Sequence, residues 1–69
     1  MRIRELREDR DLTQQDVAMI LNCKQNTYQQ YESGKRQLPV HALIKLCLYY
    51  GVSADYVLDL PKNLKYPER

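Results

Sequence analysis

Gln25, Asn26, Gln29 and Gln30 bring four side-chain amides into six consecutive positions of a 69-residue chain. Each amide holds a donor and an acceptor side by side. It can therefore pair bidentately with a base edge, above all with adenine N6 and N7. Solvated helix surfaces are more commonly built from Lys and Glu, so this cluster points to reading a donor–acceptor pattern; a neutral solvated face is the plain alternative. The net charge of the chain is only +2, but its distribution is uneven. Residues 22–45 hold Lys24, Lys35, Arg36 and Lys45 against the single carboxylate Glu32. The positive charge thus gathers around the amides, as an interface with a polyanion requires.

Other chemistries find fewer parts. Cys23 and Cys47 lie far apart and neither belongs to a C-x-x-C pair, so with the lone His41 they make no metal site. They read as structural thiols of a reducing cytosol. There is no Gly-rich phosphate loop, no Cys/His nucleophile pair at a readable spacing and no carboxylate pair in an apolar setting, so an enzyme is not expected. Neither a cofactor nor a small-molecule ligand is implied. No apolar run approaches the roughly 18 residues of a membrane span, and Met1 to Leu6 lacks an apolar signal region. The expected location is the cytoplasm.

The amides must be held by helices. Hydrophobic residues form 43% and charged residues 29% of the chain, which fits a small globular domain. Periodicity and punctuation predict five helices and no strand, an all-α fold. The first covers about Arg2 to Arg10, with Ile3 and Leu6 on one face and the other arginines and carboxylates on a solvated one. Thr13 caps the second, about Gln14 to Leu21, with Asp16 in its first turn. Val17, Ala18 and Leu21 face inward, and Asn22 takes the left-handed conformation that ends the helix. The third spans about Gln25 to Ser33, with Tyr28 and Tyr31 inward and Gly34 as its stop. Pro39 suits the first turn of the fourth, about Val40 to Tyr50, whose apolar positions are Val40, Leu43, Ile44, Cys47 and Tyr50, with Leu46 flanking. Ser53 caps the fifth, which runs through Leu58. Residues 1–60 read as one domain, and 61–69, with Pro67 and mixed charge, as a flexible tail.

Within residues 14–33, Ala18 stands where two helices cross closely, Asn22 and Cys23 occupy the turn, and Tyr28 packs the later helix onto the earlier one. These positions resemble a helix-turn-helix. With Leu6-Arg7, Leu12-Thr13-Gln14, Tyr31 to Arg36, Leu43 to Leu46 and Gly51 to Leu58, the chain resembles the Cro/C1-type (Xre family) repressor domains over residues 2–59. Asn22 stands where the family usually has Gly, Tyr28 where it has Val or Ile, and Lys24 where it has a capping Ser or Thr.

The resemblance implies a compact five-helix, lambda-repressor-like fold and a sequence-specific transcriptional regulator, a repressor acting on double-stranded DNA. Gln25, Asn26 and Gln30 match base-reading positions, with Gln29 beside them. Thr13 and Gln14 match phosphate contacts at the start of the second helix; Lys24, Thr27, Ser33, Lys35 and Arg36 are placed for phosphates around the third. Arg7 and Glu32 match an ion pair between the first and third helices. Val52, Ala54, Tyr56 and Leu58 resemble the surface through which similar repressors form homodimers on pseudo-palindromic operators. An alternative use of the same fold is a protein-interaction module, such as an antitoxin or antirepressor.

Overall fold

Thr13 and Asp16 cap one another. The Asp16 N–H donates to Thr13 Oγ1 at 3.0 Å, and the Thr13 N–H donates to Asp16 Oδ2 at 2.9 Å. This reciprocal box satisfies two groups that a helix start otherwise leaves open. In the computed structural model, which describes residues 1–61, five helices follow one another: α1 (Ile3–Asp9), α2 (Gln14–Ile20), α3 (Gln25–Ser33), α4 (Val40–Tyr50) and α5 (Ala54–Leu58). The described residues contain no strand. Of the tail expected over residues 61–69, all but Pro61 lies outside the described residues.

Four helices end in the same way. Asp11, Asn22, Gly51 and Asp59 have positive φ. The residue after each donates its N–H five positions back: Leu12 to Arg7 O, Cys23 to Ala18 O, Val52 to Cys47 O and Leu60 to Asp55 O. Asn22 and Gly51 carry the expected stop signals. Asp11 and Asp59 do the same work because a short polar side chain tolerates the left-handed region better than most. These turns stop α1 and α2 one residue short of the expected Arg10 and Leu21. Pro39 sits just before α4, with extended ψ, rather than in its first turn.

The core joins Ile3 of α1, Val17 and Ala18 of α2, Leu21, Tyr28 and Tyr31 of α3, Ala42, Leu46 and Tyr50 of α4, and Val57 of α5. Ala18 is fully buried, so α2 and α3 approach closely there, and a larger side chain would separate them.

The inward face of α4 differs from the expected one. Val40 and Ile44 are 71% and 54% exposed, and Ala42 and Leu46 take their place in the core. Leu43 and Cys47 are half-buried beside them. Two apolar rows at four-residue spacing run along this helix, and only one meets α5 and the rest of the core.

The arginines that flank α1 also do more than populate a solvated face. The Arg2 guanidinium pairs with Glu5 at 3.2 Å and with Asp59 at 2.9 Å, and lies 5.0 Å from the centre of the Tyr56 ring. The Arg2 N–H donates to Val57 O at 2.8 Å. Arg10 Nη2 donates to Tyr50 O at 3.0 Å, with its guanidinium 5.5 Å from the Tyr50 ring. The two ends of the fold are therefore clasped together. Among the described residues no helix is long and apolar enough to cross a membrane.

Candidate nucleic-acid interface

The turn Leu21 to Lys24 sets α3 across α2 and leaves one side of α3 open. Tyr28 and Tyr31 face the core, which puts Gln25, Asn26 and Gln29 in solvent and leaves Gln30 and Thr27 half-exposed. None of the four amide side chains makes a hydrogen bond to another described residue. Each therefore keeps both its donor and its acceptor for an outside partner. Gln25 and Gln29 are four residues apart, as are Asn26 and Gln30, so the amides form two adjacent rows along the helix.

Lys24 occupies the cap position of α3 with extended backbone but no side-chain hydrogen bond to the helix. The first-turn N–H groups of α3 are left without a side-chain cap, and an exposed cation stands beside them. At the other end Gly34, with φ +84°, ends the helix. A Cβ on Gly34 would meet nothing within 4 Å, so only backbone conformation calls for glycine there. Lys35 and Arg36 follow on the exposed loop. The Ser33 hydroxyl donates to Gln30 O at 3.2 Å, so its hydrogen is spent within its own helix. Thr13 is exposed at the start of α2, and its oxygen accepts from Asp16.

Beneath these groups one carboxylate ties three helices together. Arg7 Nε of α1 donates to Glu32 Oε2 of α3 at 2.7 Å, and Arg7 Nη2 reaches Glu32 Oε1 at 3.3 Å. Gln14 Nε2, at the first position of α2, donates to the same Oε1 at 3.1 Å. Arg7 Nη1 donates to Leu12 O at 2.9 Å and pins the connection between α1 and α2. The pair is well shielded, with side chains 13% and 6% exposed for Arg7 and Glu32. Burial pushes the Glu32 carboxyl up, but hydrogen bonds from Arg7 and Gln14, with the Tyr28 hydroxyl close by, outweigh it and hold the group below the usual glutamate range. The hydrogen bond to Glu32, joined by the carboxylate's opposing charge, raises the Arg7 guanidinium and outweighs the burial that would lower it. Burial, above all, raises the Tyr28 phenol; its hydroxyl sits near Glu32 without a well-formed hydrogen bond.

The role of Gln14 is thus partly internal. Residues 14 and 32 are far apart in sequence, and no local pattern links them; only the crossing of α2 and α3 does. At α5, Ala54, Tyr56 and Leu58 are exposed, while Val52 ahead of it is half-buried against the core. A cleft of about 370 Å³ lies between Arg2, Tyr56 and Leu60, and none of the four amides lines it. The exposed row Val40, Ile44 and Leu48 on α4 was not anticipated as surface. Among the described residues no three His, Cys, Asp or Glu side chains gather as a metal site.

Comparison with known proteins agrees with this architecture. A helix-turn-helix family model matches residues 3–57. The chain is 39% identical over 64 residues to the cryptic phage CTXphi transcriptional repressor RstR of Vibrio cholerae, covering 91% of this chain and 58% of that protein. It is 34% identical over 59 residues to the HTH-type transcriptional regulator YobD of Bacillus subtilis (strain 168), covering 86% of this chain and 53% of that protein. The chain therefore spans a little over half the length of these relatives. No solved structure matches it. From the paired helices at Ala18 and Tyr28 to the match across nearly the whole fold, the chain belongs to the Cro/C1-type helix-turn-helix family of transcriptional regulators.

Proposed function

We propose that this chain is a DNA-binding repressor that lays α3 in the major groove. The observation that carries this reading is the amide face of Gln25 and Asn26, exposed, and Gln30, half-exposed, with no side-chain hydrogen bond to another described residue, on the second helix of the motif. Amides so placed read base edges in the groove, where each base pair offers a distinct donor–acceptor pattern. Lys24, Lys35 and Arg36 stand at the two ends of the same helix and meet phosphates on either side. Thr13 does so from the start of α2.

A single domain of this size makes few base contacts. Pairing two copies through Ala54, Tyr56 and Leu58, with Val52 behind them, doubles the contacts and imposes two-fold symmetry on the operator. The protein then works in the cytoplasm on a pseudo-palindromic site, without a cofactor and without catalysis of its own. The similarity to a named phage repressor supports repression as the direction of control.

The test is selection of bound duplexes from a random pool with the 69-residue protein. A recovered palindrome is expected, and the double variant Gln25→Ala, Asn26→Ala should keep its fold and lose that preference. A pool that returns no enriched sequence, or a double variant with unchanged preference, overturns the reading.

A further inference from the structure

A cleft of about 210 Å³ lies where α1, the start of α2 and α3 meet, lined by Arg4, Arg7, Gln14, Gln29, Glu32 and Ser33. Its one carboxylate is already occupied. Glu32 receives hydrogens from Arg7 at 2.7 and 3.3 Å and from Gln14 at 3.1 Å, and Arg7 balances its charge. What remains for an outside group is mostly donors. The Gln14 amide nitrogen has two hydrogens and spends one on Glu32. The Gln29 amide spends neither on a described residue. The Arg4 guanidinium is 70% exposed, and its partner Glu8, itself exposed, stands 3.6 Å away. A pair of that kind is easily exchanged for another anion.

One available cation and two available amides over a neutralised carboxylate fit a compact oxyanion with several acceptor atoms. They fit a base edge poorly, because its recognition turns on a planar donor–acceptor pattern and gains nothing from a nearby positive charge. Gln29 also stands one turn beyond Gln25 on α3, so a duplex whose bases meet Gln25 carries its backbone past Gln29 and this cleft.

We infer that the cleft seats one backbone phosphate of the DNA, held by Arg4 and Gln29 with Gln14 between them, and that Gln29 positions the duplex instead of reading it. This rests on the DNA-binding reading above. It moves Gln29 from the base-reading set to the phosphate set, and it adds Arg4, which the sequence places on an ordinary solvated face. Arg7 and Glu32 have a second task here: they hold Gln14 in place and cancel a charge that would repel the phosphate.

The experiment measures the affinity of the 69-residue protein for its selected duplex and for a scrambled duplex, over a series of salt concentrations. Arg4→Gln should weaken both duplexes by the same factor, about tenfold near 0.1 M salt, and reduce the slope of log affinity against log salt by about one. Gln29→Ala should weaken both equally and leave base preference unchanged, and Arg4→Lys should restore the slope. Both side chains are exposed, so melting temperatures should match the wild type. Wild-type affinity in both variants overturns the inference while leaving DNA binding intact. So does a Gln29→Ala protein with altered base preference, or a loss of affinity that merely follows a lower melting temperature. Saturable binding of inorganic phosphate in the cleft, with DNA affinity indifferent to Arg4→Gln, identifies a free-anion site and also overturns it. A wild-type protein that binds neither duplex instead sinks the DNA reading itself.

Discussion

Arg7 Nε of α1 meets Glu32 Oε2 of α3 at 2.7 Å, and the same carboxylate takes the Gln14 amide of α2. Removing Glu32 leaves the shielded Arg7 guanidinium without a counter-charge, its remaining partner being Leu12 O, and frees the Gln14 amide at the start of α2. Glu32→Ala should cost about 3–5 kcal/mol. In a domain this small that corresponds to a melting temperature lower by about 12 °C or more. Urea denaturation checks it; a variant as stable as the wild type removes Glu32 from the structural role.

The same carboxylate sets a pH dependence. Its folded-state pKa lies below the unfolded value, so the stabilisation is complete above the ordinary glutamate value of about 4.3 and is lost as pH falls through the lower, folded one. Asp16, lowered by the hydrogen bonds from Thr13, acts in the same direction from an exposed position. Melting temperature should therefore hold between pH 7 and 5 and drop below pH 4. Glu32→Gln should start lower and show a shallower drop, which thermal scans across that range will reveal.

Lys24 sets stability against binding. It leaves α3 without a side-chain cap, so Lys24→Ser should stabilise the domain by about 1 kcal/mol. The same change removes a cation from the phosphate path and should reduce the salt slope of DNA binding by about one. Calorimetry and salt titration of one variant read both effects, and a slope equal to the wild type's assigns Lys24 no phosphate.

Tyr50 is buried with a hydroxyl that finds no partner among the described residues, while its ring contacts Tyr49 edge-on at 5.3 Å and lies under Arg10. Tyr50→Phe keeps the ring and deletes the unmet polar group, so stability should hold or rise by about 1 kcal/mol. Tyr50→Ala should lose about 3–5 kcal/mol through the cavity it leaves. A destabilised phenylalanine variant shows that the hydroxyl has a partner after all.

Leu58→Asp tests the pairing of two copies. Leu58 is 36% exposed, so the fold should survive. Light scattering should then give a monomer, with the affinity for a full palindrome falling towards that for a half-site. A dimer of unchanged mass places the contact elsewhere.

Much of this was legible in the residues, for physical reasons that differ by element. The bounds of α3, α4 and α5 follow from Gly34, Gly51 and Ser53, whose backbone or capping chemistry is local. The amide face of α3 follows from the placement of Tyr28 and Tyr31. The buried row of α4 was legible only at Tyr50, because Val40, Ile44 and Leu48 repeat at the same interval as Ala42, Leu46 and Tyr50, and period alone does not say which row the rest of the fold covers. Nor did spacing link Gln14 to Glu32, or Arg2 to Val57, since each pair meets only once the helices have crossed.

That last contact has a consequence for synthesis. The Arg2 N–H bonds to Val57 O, and the Arg2 side chain reaches Asp59. As the chain leaves the ribosome, Glu32 of α3 can already hold Arg7, but the start of α1 has no partner at Val57 until α5 has emerged. Nearly the whole domain must be made before its first turn is secured, and a ribosome stalled before residue 57 would present the start of α1 unclasped, with the buried Ile3 more open to chaperones and proteases.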